Sequence, residues 1–308
     1  MNEIIVVDKL TKKYGDFLAV NNVSFIVKQG EVFSLLGPNG AGKTTIVEIL
    51  ECLRTPTSGV ALIKGMNVKD PSEVKRIKRL IGVLPQEFNA IDNLTVYENV
   101  ELAASAKGSR NVKDILEALG LWEMRKSAFS KLSGGLKRRV GIAMALVGDP
   151  EIVFLDEPTT GLDPEARRET WSYIRKLKKS GVTIFLTTHY MEEAERLSDR
   201  VAIIVRGRIA AEGDVRRLVS EQGGKTRLIF EDLGERAAEA LRGKGYEVEP
   251  ITDDRTVVKV SDKSEVFEVL SILRGLSIDA YPEIHHPGLE DVFLRIVGSK
   301  ISERGELI

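Results

Sequence analysis

Short apolar runs alternate with longer amphipathic segments from the start of the chain to about residue 215. This alternation is typical of an α/β domain, in which buried strands alternate with helices. Three of the apolar runs are compact and rich in branched or aromatic residues: Val32–Leu36, Ile152–Leu155 and Thr183–Thr187. Because they do not alternate with polar positions, they predict strands buried on both faces of a parallel sheet.

Helices are predicted around these strands. Thr44–Leu53 carries apolar residues at helical spacing, and residues 72–147 predict mostly helices. Thr95–Glu98 has the pattern of a capping box, in which the Thr hydroxyl and the Glu carboxylate each bond a backbone amide at the start of a helix. Val201–Val205 and Arg208–Ala211 predict a hairpin that closes this first domain.

A second domain follows a polar, glycine-containing stretch. Ser220–Lys225 predicts a linker, so we expect one domain at 1–220 and a smaller α+β domain at 225–300. The later pattern predicts strands at 226–230, 245–250, 256–260 and 277–283, and helices at 234–243, 263–274 and Leu289–Val297. The order β-α-β-β-α-β before the last helix is the ferredoxin-like arrangement.

Composition narrows the class of protein. The 308 residues include 45 Lys and Arg against 46 Asp and Glu, and this near-neutral balance argues against a nucleic-acid partner bound by bulk electrostatics. The longest stretch free of strongly polar side chains, Val140–Gly148, has nine residues, whereas a membrane span needs about 20. Cys52 is the single cysteine, and no secretory signal is evident. We therefore expect a cytoplasmic protein.

A phosphate-binding loop follows the first predicted buried strand. Gly37-Pro38-Asn39-Gly40-Ala41-Gly42-Lys43-Thr44 matches the Walker A pattern and opens a predicted helix. The glycines let backbone N–H groups turn inward toward phosphate oxygens, and the helix adds its positive end. Lys43 would contact the β- and γ-phosphates, and the Thr44 hydroxyl would bind Mg²⁺.

An acidic pair ends the strand predicted at Ile152–Leu155. Asp156 is suited to hold Mg²⁺, and Glu157 is suited to orient and polarise a water molecule as a general base. An acidic pair at a strand end is common, so its meaning depends on the Walker A sequence before it. Together the two segments predict a P-loop nucleotide hydrolase.

The segment Leu132-Ser133-Gly134-Gly135-Leu136 resembles the signature of ABC ATPases. Leu136 departs from the Gln most often found at the fifth position. Lys137, Arg138 and Arg139 follow at once, and at a helix start they indicate either a bound phosphate or a solvated basic face. The resemblance covers residues 1 to about 218 and implies the fold of that family, a parallel-sheet core with an N-terminal antiparallel sheet and a helical subdomain.

The resemblance also implies roles for further residues. Gln86 looks like the Q-loop glutamine that senses Mg²⁺, and His189 looks like the switch histidine that contacts the γ-phosphate. Tyr14 resembles the aromatic residue that stacks on adenine, and Asp163 lies in a segment like the D-loop. The catalytic residues implied are Lys43, Gln86, Glu157 and His189, and the Mg²⁺ ligands are Thr44, Gln86 and Asp156. The ATP-binding residues implied are Tyr14, Gly37, Pro38, Asn39, Gly40, Ala41, Gly42, Lys43, Thr44, Thr45, Ser133, Gly134, Gly135 and Asp163.

The family's architecture implies partners. Each motif occurs once, so we expect a head-to-tail homodimer in which the signature of one copy closes on the Walker A loop of the other. We also expect a separate membrane permease that contacts Gln86 and the segment to about Val100, and so a peripheral location on the inner face of the membrane. Phe88 and Tyr97 are either contacts of this permease or core residues. Only 87 residues separate Thr44 from Leu132, which excludes the coiled-coil insertions of the DNA-repair and chromosome-compaction types.

The tail favours an exporter. Leu289-Glu290-Asp291-Val292-Phe293-Leu294 resembles the ending of ATPases that power drug, antibiotic, lipid-linked and polysaccharide exporters. The same residues also form an amphipathic helix that would pack on the second domain. The alternative is a non-transport ABC ATPase whose C-terminal domain senses a ligand or stabilises the dimer.

Overall fold

The computed structural model describes residues 2–252 and 255–300. It divides into two compact units, Met1–Val215 and Arg216–Ile308. Among the described residues, none of the helices combines the length and the apolar character that crossing a bilayer requires.

The first unit contains ten strands and seven α-helices within the described residues. The strands are β1 (Glu3–Tyr14), β2 (Phe17–Lys28), β3 (Val32–Leu36), β4 (Ser58–Ile63), β5 (Met66–Asn67), β6 (Ile81–Leu84), β7 (Ile152–Asp156), β8 (Thr183–Thr188), β9 (Arg200–Val205) and β10 (Arg208–Asp214). The helices are α1 (Lys43–Leu50), α2 (Pro71–Leu80), α3 (Val96–Lys107), α4 (Val112–Ala118), α5 (Gly134–Leu146), α6 (Pro164–Lys179) and α7 (Met191–Leu197).

The centre of this unit is a six-stranded sheet with the order β10-β9-β3-β8-β7-β6. Strands β9, β3, β8, β7 and β6 are parallel, and β10 pairs with β9 as the predicted hairpin. Every residue of β3, β7 and β8 is buried, which confirms the prediction from their unalternating sequences. The carboxyl ends of β3, β7 and β8 therefore meet at one edge.

Two apolar clusters cover the faces of this sheet. On one face, Phe25 of the antiparallel sheet β2-β1-β4-β5 stacks on Phe33, with ring centroids 5.2 Å apart. On the other face, helices α3 to α6 contribute apolar side chains that pack against β7 and β8. The capping box at Thr95 is present, since Thr95 N donates to Glu98 Oε2 at 2.8 Å and Glu98 N donates to Thr95 Oγ1 at 3.2 Å.

One strand of the first unit lies inside a segment that was predicted to be mostly helical. Residues 72–147 were expected to be mostly helical, but Ile81–Leu84 forms the edge strand β6 beside β7. Four apolar residues between a helix and Pro85 carry too little periodicity to separate a strand from a helix end. The strand matters because Pro85 and Gln86 follow it directly.

The second unit has the ferredoxin-like order. Its elements are α8 (Val215–Gln222), β11 (Thr226–Glu231), α9 (Glu235–Gly243), β12 (Glu247–Thr252), β13 (Arg255–Val260), α10 (Lys263–Gly275), β14 (Glu283–His285) and α11 (Leu289–Lys300). The antiparallel sheet runs β12-β13-β11-β14, so the first and third strands of the motif lie at its centre. Leu228, Phe230 and Val258 pack with Leu241 and Val269 of the two helices between strands.

Two predicted details of this unit are wrong. The last strand was expected at 277–283, but it occupies Glu283–His285, because Ser277 turns the chain in a left-handed conformation (φ 60°) after α10. The predicted linker Ser220–Lys225 begins inside α8, which continues to Gln222.

Candidate active site

The loop between β3 and α1 is shaped by close backbone contacts. A Cβ atom on Gly37 would lie 2.3 Å from the carbonyl oxygen of Ile204, and one on Gly42 would lie 2.5 Å from that of Ala19. Gly42 also has φ 102°, a conformation that side chains disfavour, and it forms the N-cap of α1. These glycines let the loop curl tightly, so that the start of α1 faces a cavity.

Lys43 is folded back across this loop. Its Nζ donates to the carbonyl oxygens of Gly37 at 2.9 Å and Pro38 at 3.1 Å, and it lies 3.4 Å from Glu157 Oε1. The side chain is only 5% exposed. Burial lowers the pKa of Lys43, and the nearby Glu157 carboxylate opposes that effect. The ammonium group is thus held beside the loop that would wrap the phosphates.

A cavity of about 330 Å³ brings the predicted site segments together. Its lining combines residues of the Walker A loop, the start of β2 and the segments that follow β6 and β7. These residues are Phe17, Ala19, Asn39, Gly40, Gly42, Lys43, Thr44, Thr45, Gln86 and Glu157. Four of the predicted catalytic and metal-binding residues, Lys43, Thr44, Gln86 and Glu157, therefore face one space.

Glu157 is the most highly connected acidic group of the site. Its Oε2 lies 3.1 Å from His189 Nδ1, accepts from Thr160 Oγ1 at 3.1 Å, and is 3.5 Å from Gln86 Nε2. Burial would raise the pKa of Glu157, but the contact with His189 and the charge of Lys43 lower it overall below its usual range. The carboxylate is therefore ionised at neutral pH, as a general base must be.

Asp156 ends β7 one residue earlier and is 4% exposed. Its Oδ1 accepts a hydrogen bond from Thr187 Oγ1 on the neighbouring strand β8. Burial raises the pKa of Asp156, while the Thr187 hydroxyl and Lys43 act in the opposite direction. Thr187 was not predicted, although its place at the end of a buried strand beside β7 signals a position at the same sheet edge.

The signature segment lies outside this cavity. Ser133 caps helix α5 by accepting from the Leu136 amide at 3.3 Å, and Gly135 packs on Ala166 so closely that a Cβ atom would lie 2.7 Å from the Ala166 Cβ. Leu136 packs partly buried against the helical core. Within the described part of the chain, Ser133, Gly134 and Gly135 do not line the cavity that holds Lys43.

Two further predicted residues also lie away from the cavity lining. Asp163 caps helix α6, where its Oδ1 accepts from the amides of Glu165 at 3.0 Å and Ala166 at 2.9 Å. Tyr14 is 38% exposed, with Lys12 Nζ 5.0 Å from its ring centroid. The aromatic residue in the lining is Phe17, which was not predicted.

The basic run after the signature is not a solvated face. Arg138 is only 9% exposed, and its guanidinium donates to five carbonyl oxygens. Those oxygens belong to Pro85 (3.0 Å), Gln86 (3.2 Å), Asp156 (2.6 Å), Glu157 (2.8 Å) and Pro158 (2.9 Å). Burial lowers its pKa to about 10, which leaves it charged at neutral pH. Arg138 thus ties the signature helix to both loops that carry Gln86 and Glu157.

A signal for Arg138 was present in the sequence. Gly141, Ile142 and Ala145 follow it at i+3, i+4 and i+7, which places Arg138 on the buried face of α5.

Glu193 was also missed. It is fully buried on α7 and accepts from Thr159 Oγ1 at 2.7 Å and Trp171 Nε1 at 3.0 Å. Burial raises its pKa. The contacts join the helix after His189 to the segment after Glu157.

Comparison with known proteins agrees with this geometry. The family model described as ABC transporter matches residues 20–160. The chain is 38% identical over 300 residues to Nod factor export ATP-binding protein I of Rhizobium etli, covering 96% of this chain and 93% of that protein. It is 40% identical over 302 residues to the protein of the same name from Burkholderia orbicola, covering 95% and 96%.

This chain belongs to the ABC transporter ATPase family. The fold agrees with solved ABC cassettes. The dimeric post-hydrolysis structure of the cassette MJ0796, bound to ADP and Pi, matches with a TM-score of 0.62 at 31% identity, over 68% of this chain and 98% of that one. The ADP conformation of the cassette MJ1267 matches with a TM-score of 0.65 at 25% identity, over 70% and 93%. The chain is thus an ATP-binding, ATP-hydrolysing subunit of an ABC transporter.

Arg138 should affect turnover by this ABC ATPase more than nucleotide binding. We expect Arg138→Gln to lower kcat about tenfold, because the carbonyls that position Gln86 and Glu157 lose a charge-assisted donor. Arg138→Lys should recover only part of the loss, since an ammonium has three donors and cannot reach five carbonyl oxygens. The measurement is steady-state ATPase kinetics beside the Kd of ATP, which should change by less than about twofold.

The matched control is Arg139→Gln on the same helix. Among the described residues, Arg139 pairs with Glu169 and lies over the ring of Tyr173, and no hydrogen bond or ion pair joins it to either site loop. This variant should lower the melting temperature without lowering kcat. Equal kcat losses in the two variants would contradict a positioning role for Arg138.

Proposed function

We propose that this chain hydrolyses ATP to power export through a separate membrane permease. The observation that carries the export assignment is the extent of its similarity to proteins named Nod factor export ATP-binding protein I. The alignments span 93% to 100% of three such proteins and 95% to 98% of this chain, so they include the C-terminal unit. We base only the export role on these relatives and propose no cargo for this chain.

The geometry supports a general-base role for Glu157 in hydrolysis. The ionised Glu157 carboxylate would accept a proton from a water molecule, and His189 Nδ1 and Gln86 Nε2 lie 3.1 Å and 3.5 Å from its Oε2. Lys43 would neutralise the phosphate charge that develops as the bond to the γ-phosphate breaks. The products are ADP and phosphate.

The residues also fit a Mg²⁺ ion. Thr44 and Gln86 offer oxygen ligands at the cavity wall, and Asp156 supplies a carboxylate at the same sheet edge. Oxygen donors of this kind suit Mg²⁺. When bound, the ion would offset the negative charge of the phosphate groups.

We propose that a second copy of the chain completes the site. The signature residues Ser133, Gly134 and Gly135 stand at the start of α5, where free amides and the helix dipole favour an anion. Since they do not line the cavity of their own chain within the described residues, the signature would act on ATP bound by the other copy. The dimeric cassette MJ0796 provides a structural precedent at 32% identity.

Replacing the proposed base should stop turnover but keep binding. Glu157→Gln keeps the size of the side chain and removes its ability to take a proton, so kcat should fall at least about 10²-fold. The variant should retain ATP and accumulate a dimer, which size-exclusion chromatography with light scattering would measure. The control is Glu192→Gln, an exposed carboxylate on α7. Turnover at the wild-type rate in Glu157→Gln would refute the assignment.

The adenine contact can be assigned by comparing two aromatic residues. We propose Tyr14 for stacking, on the resemblance of its segment and because Lys12 and Arg54 flank its ring. Tyr14→Ala should raise the Kd of ATP about tenfold, since stacking contributes roughly 1–3 kcal/mol per base. Phe17→Ala should change it by less than about threefold. The reverse order in fluorescence titrations would move the role to Phe17.

We propose that the permease contacts the loop after Gln86. The candidate aromatics Phe88 and Tyr97 are both partly buried against the helical core, and the ring centroid of Phe88 lies 6.1 Å from that of Phe129. The exposed apolar residue of the loop is Ile91, at 50%. Buried Asn99 fixes the loop by bonding both Ile91 N (2.9 Å) and Ile91 O (3.1 Å). An exposed isoleucine whose backbone is fixed by hydrogen bonds is suited to contact another protein.

A charge at this position should uncouple the subunit from its permease. Ile91→Glu should abolish co-purification with the permease, because a buried unpaired carboxylate is costly, while ATPase activity of the isolated subunit is kept. Leu53→Glu, at a 63% exposed position of the α1–β4 loop, is the matched control. If both variants bind the permease equally well, the contact lies elsewhere. Binding here would place the subunit peripherally on the inner face of the membrane.

A further inference from the structure

The C-terminal unit contains a second cavity, of about 530 Å³, that plays no part in the proposed ATPase mechanism. It lies against the face of the β12-β13-β11-β14 sheet opposite the apolar core. Its lining consists of Gly223, Gly224, Lys225, Arg227, Glu247, Lys259, Asp291, Leu294 and Arg295. Leu294 is the one large apolar side chain among them, so the cavity suits a polar occupant.

Strand register explains how the charges come together. Glu247 pairs with Lys259, and Lys259 pairs with Arg227, so the three side chains form a row across three strands. Directly paired residues project from the same face, and Lys225 joins them two positions before Arg227. Their neighbours Leu228 and Val258 project from the opposite face and are fully buried in the core. The charged side chains of this sheet face and residues of helix α11 therefore line the same cavity.

Most charges in this row are partly neutralised. Lys225 Nζ lies 2.8 Å from Glu247 Oε1, and Arg227 Nη2 lies 2.6 Å from Asp291 Oδ1 on α11. Lys259 Nζ contacts Glu247 at 3.5 Å and Glu249, beside the lining, at 2.6 Å. Counting Glu249, four cations face three carboxylates.

The surplus charge is Arg295. Within the part of the chain that the structure describes, its guanidinium makes neither a hydrogen bond nor an ion pair. It lies against the backbone of Gly224, where a Cβ atom would come within 2.5 Å of Nη2. Gly224 has φ 90°, so both its conformation and the missing side chain leave room for the guanidinium. The free donors of Arg295 therefore point to an anion.

We propose that this cavity binds a phosphate-bearing anion, with Arg295 as its principal contact and Lys225 and Lys259 beside it. A guanidinium fork matches the oxygens of a phosphate group in two parallel hydrogen bonds, and the ammonium groups add point charges. The phosphate could belong to a soluble molecule or to a lipid headgroup, and both present the same oxygens. This site is separate from the nucleotide cavity, because no residue lines both.

Residue-resolved lysine labelling tests the proposal on the full-length protein. The rate of amine acylation at each lysine is measured by peptide mass spectrometry, with and without inorganic pyrophosphate at constant ionic strength. Lys225 and Lys259 should react about threefold more slowly once pyrophosphate exceeds its Kd, because only the free fraction reacts. Lys113, an exposed lysine of α4, should be unchanged. Lys43 reports the nucleotide site separately.

Two variants make the test specific. Arg295→Gln should weaken protection of Lys225 and Lys259 about tenfold in pyrophosphate concentration, since one charge-assisted contact is lost. Arg274→Gln removes the same charge from an exposed position of α10 and should leave protection unchanged. Far-ultraviolet circular dichroism confirms that each variant is folded. Equal protection in wild type and Arg295→Gln would overturn the proposal, and so would equal protection by sodium chloride.

A second experiment distinguishes a soluble phosphate from a lipid headgroup. Vesicles of phosphatidylcholine with phosphatidylglycerol are compared with vesicles of phosphatidylcholine alone. Protection by pyrophosphate without a vesicle effect assigns the site to a soluble ligand, whereas protection only by phosphatidylglycerol assigns it to a lipid headgroup. Protection of neither lysine in either arm refutes the site, and it does so independently of whether the chain drives export.

Discussion

The buried pair of Lys43 and Glu157 is the interaction on which the nucleotide site depends. Each side chain is only 5% exposed, and each would be costly to bury alone. Their separation of 3.4 Å lets each offset the burial of the other, while the two residues come from different strand ends. The pair therefore sets the spacing between the Walker A loop and the end of β7. A γ-phosphate entering this gap would replace the carboxylate as the partner of Lys43 and would leave Glu157 available for the general-base role proposed for it.

Arg138 is a second buried charge, and its partners are backbone carbonyl groups. A buried cation is tolerated there because five carbonyl dipoles surround it, and those carbonyls lie on the segments that carry Gln86 and Glu157. A displacement of helix α5 would therefore move both loops together. Since Ser133 caps this same helix, the signature segment and the residues proposed for hydrolysis belong to one connected network. Such a network offers a path by which contact at the signature could alter the geometry around Glu157.

The sequence predicted the fold well where local chemistry decides the structure, and four of the predicted catalytic and metal-binding residues line one cavity. The Walker A loop needs its glycines in one order, and buried parallel strands need uninterrupted apolar runs, so both leave clear patterns. The prediction failed where tertiary contacts decide. Arg138 was interpreted as a surface or phosphate-binding residue because its carbonyl partners come from segments up to 53 positions away. For Phe88 the sequence left both a partner contact and a core position open, and only the tertiary structure shows that its ring packs on Phe129 and lies close to Gly141.

Glu157 has one further property that the site chemistry does not require. Its backbone has φ 47°, a left-handed conformation that costs a residue with a side chain roughly 1–2 kcal/mol and costs glycine almost nothing. The turn after β7 therefore holds stored conformational energy at the position where a carboxylate is needed. Fold stability consequently favours a glycine at position 157, whereas the proposed general-base role requires the glutamate.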